Sequence, residues 1–167
     1  MTSGELRDHI WKTLMKEKAV SYPLPCFGHH PNFKGAAKAG GLLLEYLITQ
    51  NKIKAGQTVL CYPDYVLKPL RKGLLEVGLH VVVPAQHGSD YRFLESGKVN
   101  PGKASSISGA EKEGQKMSTL PDLHFAFIAC VAVSQKGHIL DKGYGFHLPD
   151  LHVPAATVVH SLQVLEE

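Results

Sequence analysis

Gln57-Thr58-Val59-Leu60-Cys61-Tyr62 and Leu79-His80-Val81-Val82-Val83 are two short apolar runs, stopped by Pro63 and Pro84. Short runs rich in β-branched side chains predict buried strands. Between them, residues 65–77 carry a helical pattern that ends at Gly78, a residue suited to the left-handed position after a helix. Strand, helix and strand in so short a span predict a βαβ unit, and such units build parallel sheets.

Further along the chain, Leu123-His124-Phe125-Ala126-Phe127-Ile128-Ala129-Cys130-Val131-Ala132-Val133 is the strongest strand signal. Its unbroken apolar character predicts one central strand buried on both faces. Gln135-Lys136-Gly137 reads as a turn, residues 142–154 as a loop, and Ala156 to Val164 as a last strand. Residues 95–119 are rich in Gly, Ser and Lys and predict a mobile loop, with a helical turn at 110–116.

Toward the N-terminus, residues 34–50 predict a helix that is apolar nearly all round. Gly40 and Gly41 each weaken it by about 1 kcal/mol and point to close packing. Residues 20–33 carry Pro23, Pro25, Gly28 and Pro31, which excludes a helix and predicts an ordered loop or extended arm. Residues 3–18 predict a helix capped by Ser3, with Leu6, Ile10 and Leu14 on one stripe.

No repeat or composition shift divides the 167 residues, so one domain over 1–167 is expected. A domain of this size buries roughly 70% of its unfolded surface and needs no disulfide or structural metal to fold. Lys and Arg number 18 against 15 Asp and Glu, a balance too mild for a nucleic-acid footprint. The three cysteines are far apart and form no Cys-x-x-Cys pair, so they read as buried small hydrophobes. No signal peptide and no apolar run near the roughly 20 residues of a membrane helix is present. The expectation is a cytoplasmic protein, with the nucleus open and no membrane partner.

The chemistry-bearing candidates are few. Lys142-Gly143-Tyr144-Gly145 offers backbone amides and a cation that can cradle a phosphate, and an ordinary turn explains it equally well. Pro31-Asn32-Phe33-Lys34-Gly35-Ala36 reads as a turn feeding a helix, with Asn32 as cap. Lys34 opposes the dipole there, as an anion contact or as a solvated cation. The ten histidines show no ligand spacing, and His29 and His30, being adjacent, should diverge. His147 and His152 are a weak metal pair, so no metal site is assigned. No Gly-x-Ser-x-Gly elbow or paired carboxylates support a hydrolase.

Four segments in order resemble the 5-formyltetrahydrofolate cyclo-ligase family, in its methenyltetrahydrofolate synthase domain-containing branch. They are Leu6-Arg7-Asp8-His9-Ile10-Trp11; Pro31-Asn32-Phe33-Lys34-Gly35-Ala36; Val131-Ala132-Val133-Ser134-Gln135-Lys136-Gly137 with Lys142-Gly143-Tyr144-Gly145-Phe146; and Thr157-Val158-Val159-His160-Ser161-Leu162-Gln163-Val164. The resemblance implies a three-layer α/β/α domain with a mainly parallel sheet, of the NagB/RpiA/CoA transferase-like group. It implies ATP-dependent closure of 5-formyltetrahydrofolate to 5,10-methenyltetrahydrofolate, assisted by magnesium. Lys142, Gly143, Tyr144, Gly145, Phe146 and Arg7 would then meet the nucleotide phosphates.

The departures from that pattern are specific. Ser3 stands where a lysine is expected, Asp141 where the loop has its first glycine, and Leu148 where it has an acidic residue. His87 falls near an expected arginine, and Ser161 stands for an aspartate. The pattern continues into a further strand and an RNA-recognition domain, so the chain reads as C-terminally truncated, with Thr157–Val164 as an exposed edge. Three functions follow: a degenerate, weakly active or inactive binding and interaction module; a working ATP-dependent ligase; or an RNA-associated protein. Folate, nucleotide, protein and RNA are the corresponding partners.

Overall fold

The computed structural model describes residues 1–85, 90–145 and 152–166. Its centre is the predicted unit. β1 (Thr58–Cys61) and β2 (His80–Pro84) pair in parallel, Val59 beside Val81 and Leu60 beside Val82, and α3 (Lys68–Glu76) connects them. The helix begins one step later than expected, because Tyr65–Leu67 winds first into a tighter 3-10 turn. Pro69 falls in the first turn of α3, where a missing amide costs nothing, and Gly78 follows its end at φ +98°.

β5 (Phe125–Ile128) joins the free side of β1, and β8 (Ala155–Thr157) joins β5, both in parallel. On the other side β3 (Tyr91–Leu94) and β4 (Gln115–Met117) extend the sheet antiparallel. The strand order is β4-β3-β2-β1-β5-β8, an α/β sheet that is mainly parallel, as expected. Val59, Leu60, Val81, Val82, Ala126 and Phe127 have no exposed surface. They pack with Leu47 of α2 (Ala36–Thr49) and Leu70 and Leu74 of α3 in the larger core. Burying a side chain of this size contributes about 2 kcal/mol, so this layer dominates the fold's stability.

The long apolar run 123–133 is not one strand. β5 ends at Ile128, and β6 (Ala132–Ser134) belongs to a second sheet with β7 (Ile139–Leu140) and β9 (Val164–Leu165), in the order β7-β6-β9. The predicted last strand breaks in the same way, into β8, a 3-10 turn at Ser161–Gln163 and β9. The buried amide of Gln163 explains the break: its Nε2 donates to the carbonyls of Cys130 and Val131, at 3.4 and 3.1 Å. Those carbonyls are thereby satisfied outside any strand ladder, as buried backbone groups must be. β8 and β9 each end the strand order of their sheet among the described residues, but of the expected edge only Thr157 and Val164 lie in strands, and Val158 and Gln163 between them are buried.

α1 (Ser3–Lys16) covers the small sheet. Ile10, Trp11 and Leu14 bury against Val131 and Ala132. Its cap is Thr2, not Ser3: the Thr2 hydroxyl accepts from Glu5 N–H, and the Glu5 carboxylate answers to Thr2 N–H.

Residues 95–119 carry regular structure where a loop was expected. α4 (Pro101–Ala104) is capped by Asn100, and α5 (Ile107–Glu113) by Ser106. The serines that read as loop composition are caps, and Ala104 and Ala110 are the small residues that pack beneath. The helical turn expected at 110–116 lies three residues earlier, and Gln115–Met117 forms β4.

Candidate functional site

A cleft of about 1000 Å³ opens where β1 and β2 end. Parallel sheets place ligands there, because the loops leaving the strand ends diverge. The segment after β1, Tyr62 to Tyr65, forms one wall. Pro84 and Ala85 after β2, Ser106 to Ser108 at the start of α5, and Tyr22, Pro23, His29 and His30 from the arm complete it together with Lys142 and Gly145. Tyr22 and Tyr65 meet edge to face, 5.1 Å between ring centres.

A buried cation builds the first wall. Arg71 of α3 is 1% exposed, and its guanidinium donates to the carbonyls of Ser105 (2.9 Å), Tyr62 (2.6 Å) and Asp64 (2.9 Å). One side chain thereby ties the loop after β1 to the joint between α4 and α5. Hydrogen bonds from a charged donor are the strong kind, so this corner is rigid.

His30 links that wall to the glycine loop. Its ring is buried, with Nδ1 2.8 Å from Asp64 Oδ2 and Nε2 3.1 Å from the backbone nitrogen of Lys142. Burial alone would raise the Asp64 carboxyl. The hydrogen bond from His30, with the charges of Lys142 and Arg71, outweighs it and holds the group below its usual range. The neighbouring His29 lines the same cleft, and its backbone carbonyl accepts from Trp11 Nε1 at 2.9 Å.

The glycine loop is shaped by Asp141. The Asp141 carboxylate accepts from the Gly143 amide at 2.8 Å and lies 3.4 Å from an Arg7 guanidinium nitrogen, while Arg7 Nε donates to the Asp141 carbonyl at 2.6 Å. Gly143 has φ +94°, and a Cβ there would sit 3.3 Å from Arg7 Cζ, so the position needs glycine on both counts. The Tyr144 hydroxyl donates to the Gly28 carbonyl, and the Lys142 ammonium rests 4.7 Å above the Tyr144 ring.

The structure thus gathers Arg7, Lys142, Gly143, Tyr144 and Gly145 in one place, but only Lys142 and Gly145 line the cleft. Phe146 lies outside the described residues, as do His87, His147 and Leu148. Lys34 is exposed and away from the cleft wall. Asn32 does not cap α2. Its side chain bonds Phe33 N–H and the Tyr22 carbonyl instead, fastening the arm, and Gly35 precedes the helix at φ +100°. Among the described residues no three His, Cys, Asp or Glu side chains gather to hold a metal. Sequence reading missed Arg71 and Gln163, polar residues inside apolar patterns, and the pairing of His30 with Asp64. A carboxylate at the end of a buried parallel strand was the one local signal for Asp64.

In the loop that the resemblance assigns to the phosphates of ATP, the Gly143 amide and the Arg7 guanidinium already face the Asp141 carboxylate. The cleft lining carries Asp64, Asp90 and Glu111 with Lys68 and Lys142.

The fold is an α/β domain similar to that of a solved 5,10-methenyltetrahydrofolate synthetase. The structure of 5,10-methenyltetrahydrofolate synthetase from Aquifex aeolicus matches with a TM-score of 0.61 at 18% identity, over 100% of this chain and 82% of that one. In sequence, the chain is similar to the methenyltetrahydrofolate synthase domain-containing proteins of Bos taurus (26% identical), Mus musculus (27%) and Danio rerio (26%), each over 99% of its length. The chain spans about half the length of these relatives, 47 to 49%. No family model matches it. No helix among the described residues is long and apolar enough to cross a membrane.

Proposed function

We propose that this chain is a methenyltetrahydrofolate synthetase-like binding module in which ATP-dependent ring closure is lost or strongly reduced. The observation that carries the reading is the Asp141 carboxylate on the Gly143 amide, 2.8 Å away. An anion supplied by the chain itself holds the position that a phosphate would need, and a second anion beside it is repelled. Ring closure depends on phosphate positioning and charge neutralisation, so losing that contact removes most of the rate.

The cleft itself remains. Its tyrosines, Tyr22, Tyr62, Tyr65 and Tyr91, offer flat apolar faces with polar edges, which suits a planar heterocycle such as the pterin of a folate. Three unpaired, buried cysteines fit a reducing compartment such as the cytoplasm.

Calorimetric titration with Mg-ATP and, separately, with 5-formyltetrahydrofolate tests the reading. The expected result is no ATP binding up to millimolar, and no methenyltetrahydrofolate formed. ATP binding at micromolar concentration, about −8 kcal/mol, with turnover would establish a working ligase instead. If neither ligand binds, the module's partner is a protein or an RNA.

A further inference from the structure

His30 joins three segments that are remote in sequence: the arm, the loop after β1 through Asp64, and the glycine loop through Lys142. A backbone amide can only donate, so His30 Nε2 must carry its lone pair toward Lys142. The ring's single proton is then on Nδ1, donated to Asp64 Oδ2. Both ring nitrogens are committed, and the ring is almost fully enclosed, with 4% of its side chain exposed.

We propose that His30 is the positioning residue of the glycine loop, that only its neutral, Nδ1-protonated ring holds Lys142 against the cleft wall, and that protonation of the ring releases the loop. A proton taken from water would land on Nε2, and two N–H groups would then point at each other. The contact becomes a repulsion and the loop must move. The charged groups around the ring set the balance. From the loop after β1, the Asp64 carboxylate favours the charged ring. From the glycine loop, the Lys142 ammonium opposes it, as does the Arg71 guanidinium of α3, which reaches the Asp64 carbonyl. His29 adjoins it on the arm, and the Tyr62 ring lies 6.3 Å away.

The consequence reaches the cleft directly, because Lys142 and Gly145 line it. The remaining ties, Tyr144 to Gly28 and Arg7 to Asp141, would keep the loop attached at its far side. The inference stands apart from the proposed ligand, since it concerns the unliganded chain.

NMR on the full chain between pH 5 and 8 tests it. Nitrogen shifts of the His30 ring should report the Nδ1-protonated tautomer at high pH. Protection of the Lys142 amide, corrected for intrinsic exchange, should fall about tenfold with the same midpoint as the ring, as loss of one hydrogen bond requires. Protection of Leu60, in the sheet, should not change. His30→Gln supplies an acceptor that cannot titrate, and should abolish the step. An Nε2-protonated ring at high pH, Lys142 protection constant through the ring's titration, or a step that persists in His30→Gln would each overturn the proposal.

Discussion

The Asp141 carboxylate accepts a hydrogen bond from the backbone amide of Gly143 while it faces the guanidinium of Arg7, 3.4 Å away. A side chain from the loop thus serves the amide that a bound anion would otherwise use. Asp141→Gly should make Mg-ATP binding about fivefold tighter, because a second anion set beside the Asp141 carboxylate costs about 1 kcal/mol even in wet surroundings. Asp141→Asn should fall between. Calorimetry on the three proteins checks the order, and equal affinities would show that the carboxylate does not block the loop.

Arg71 carries a charge with 1% of its surface exposed and three carbonyl partners. Arg71→Leu should lower stability by about 3 kcal/mol, since three buried carbonyls lose a charged donor together. The midpoint of urea unfolding reads this. Arg71→Lys should recover only part, because an ammonium cannot span the same three oxygens.

Asp64 predicts the acid limb of stability. Its carboxyl is held below the usual range by the folded state, so its contribution is fully present above the unfolded carboxyl value of about 3.9 and is lost as pH falls through the folded value. Asp64→Asn should flatten this limb in thermal melts below pH 5. It should also destabilise the protein near neutrality, where His30 would lose its anionic partner. An unchanged acid limb would remove Asp64 from that role.

Gly41 lies on an exposed face of α2, and a Cβ there would meet nothing within 4 Å. Gly41→Ala should stabilise the protein by about 0.5–1 kcal/mol through helix propensity alone, visible as a higher unfolding midpoint. At Gly40 a Cβ would touch Leu70 at 3.5 Å, ordinary contact, so the close packing expected of this glycine pair applies to Gly40 only.

Local pattern was sufficient for the βαβ unit, the three main helices, the proline-rich arm and the glycine loop. Each of these is dictated by neighbours in sequence: β-branched runs, helical stripes, prolines and glycine at positive φ. Where a long-range contact decided, the pattern failed. The run 123–133 looks continuous, and only Gln163, 32 residues beyond Val131, diverts its carbonyls from a ladder. Residues 95–119 look mobile by composition, yet Asn100 and Ser106 cap helices whose small faces are covered by the sheet.

By itself, then, the sequence determined the class of fold and marked Lys142 to Gly145 as a candidate phosphate loop, because periodicity and backbone preference are local properties. Only the tertiary structure decided what that loop can do. Arg7 and Asp141 are 134 residues apart, as His30 and Lys142 are 112. Charge and hydrogen bonding act through space, so the occupant of the Gly143 amide and the state of the His30 ring follow from which distant segments the core brings together.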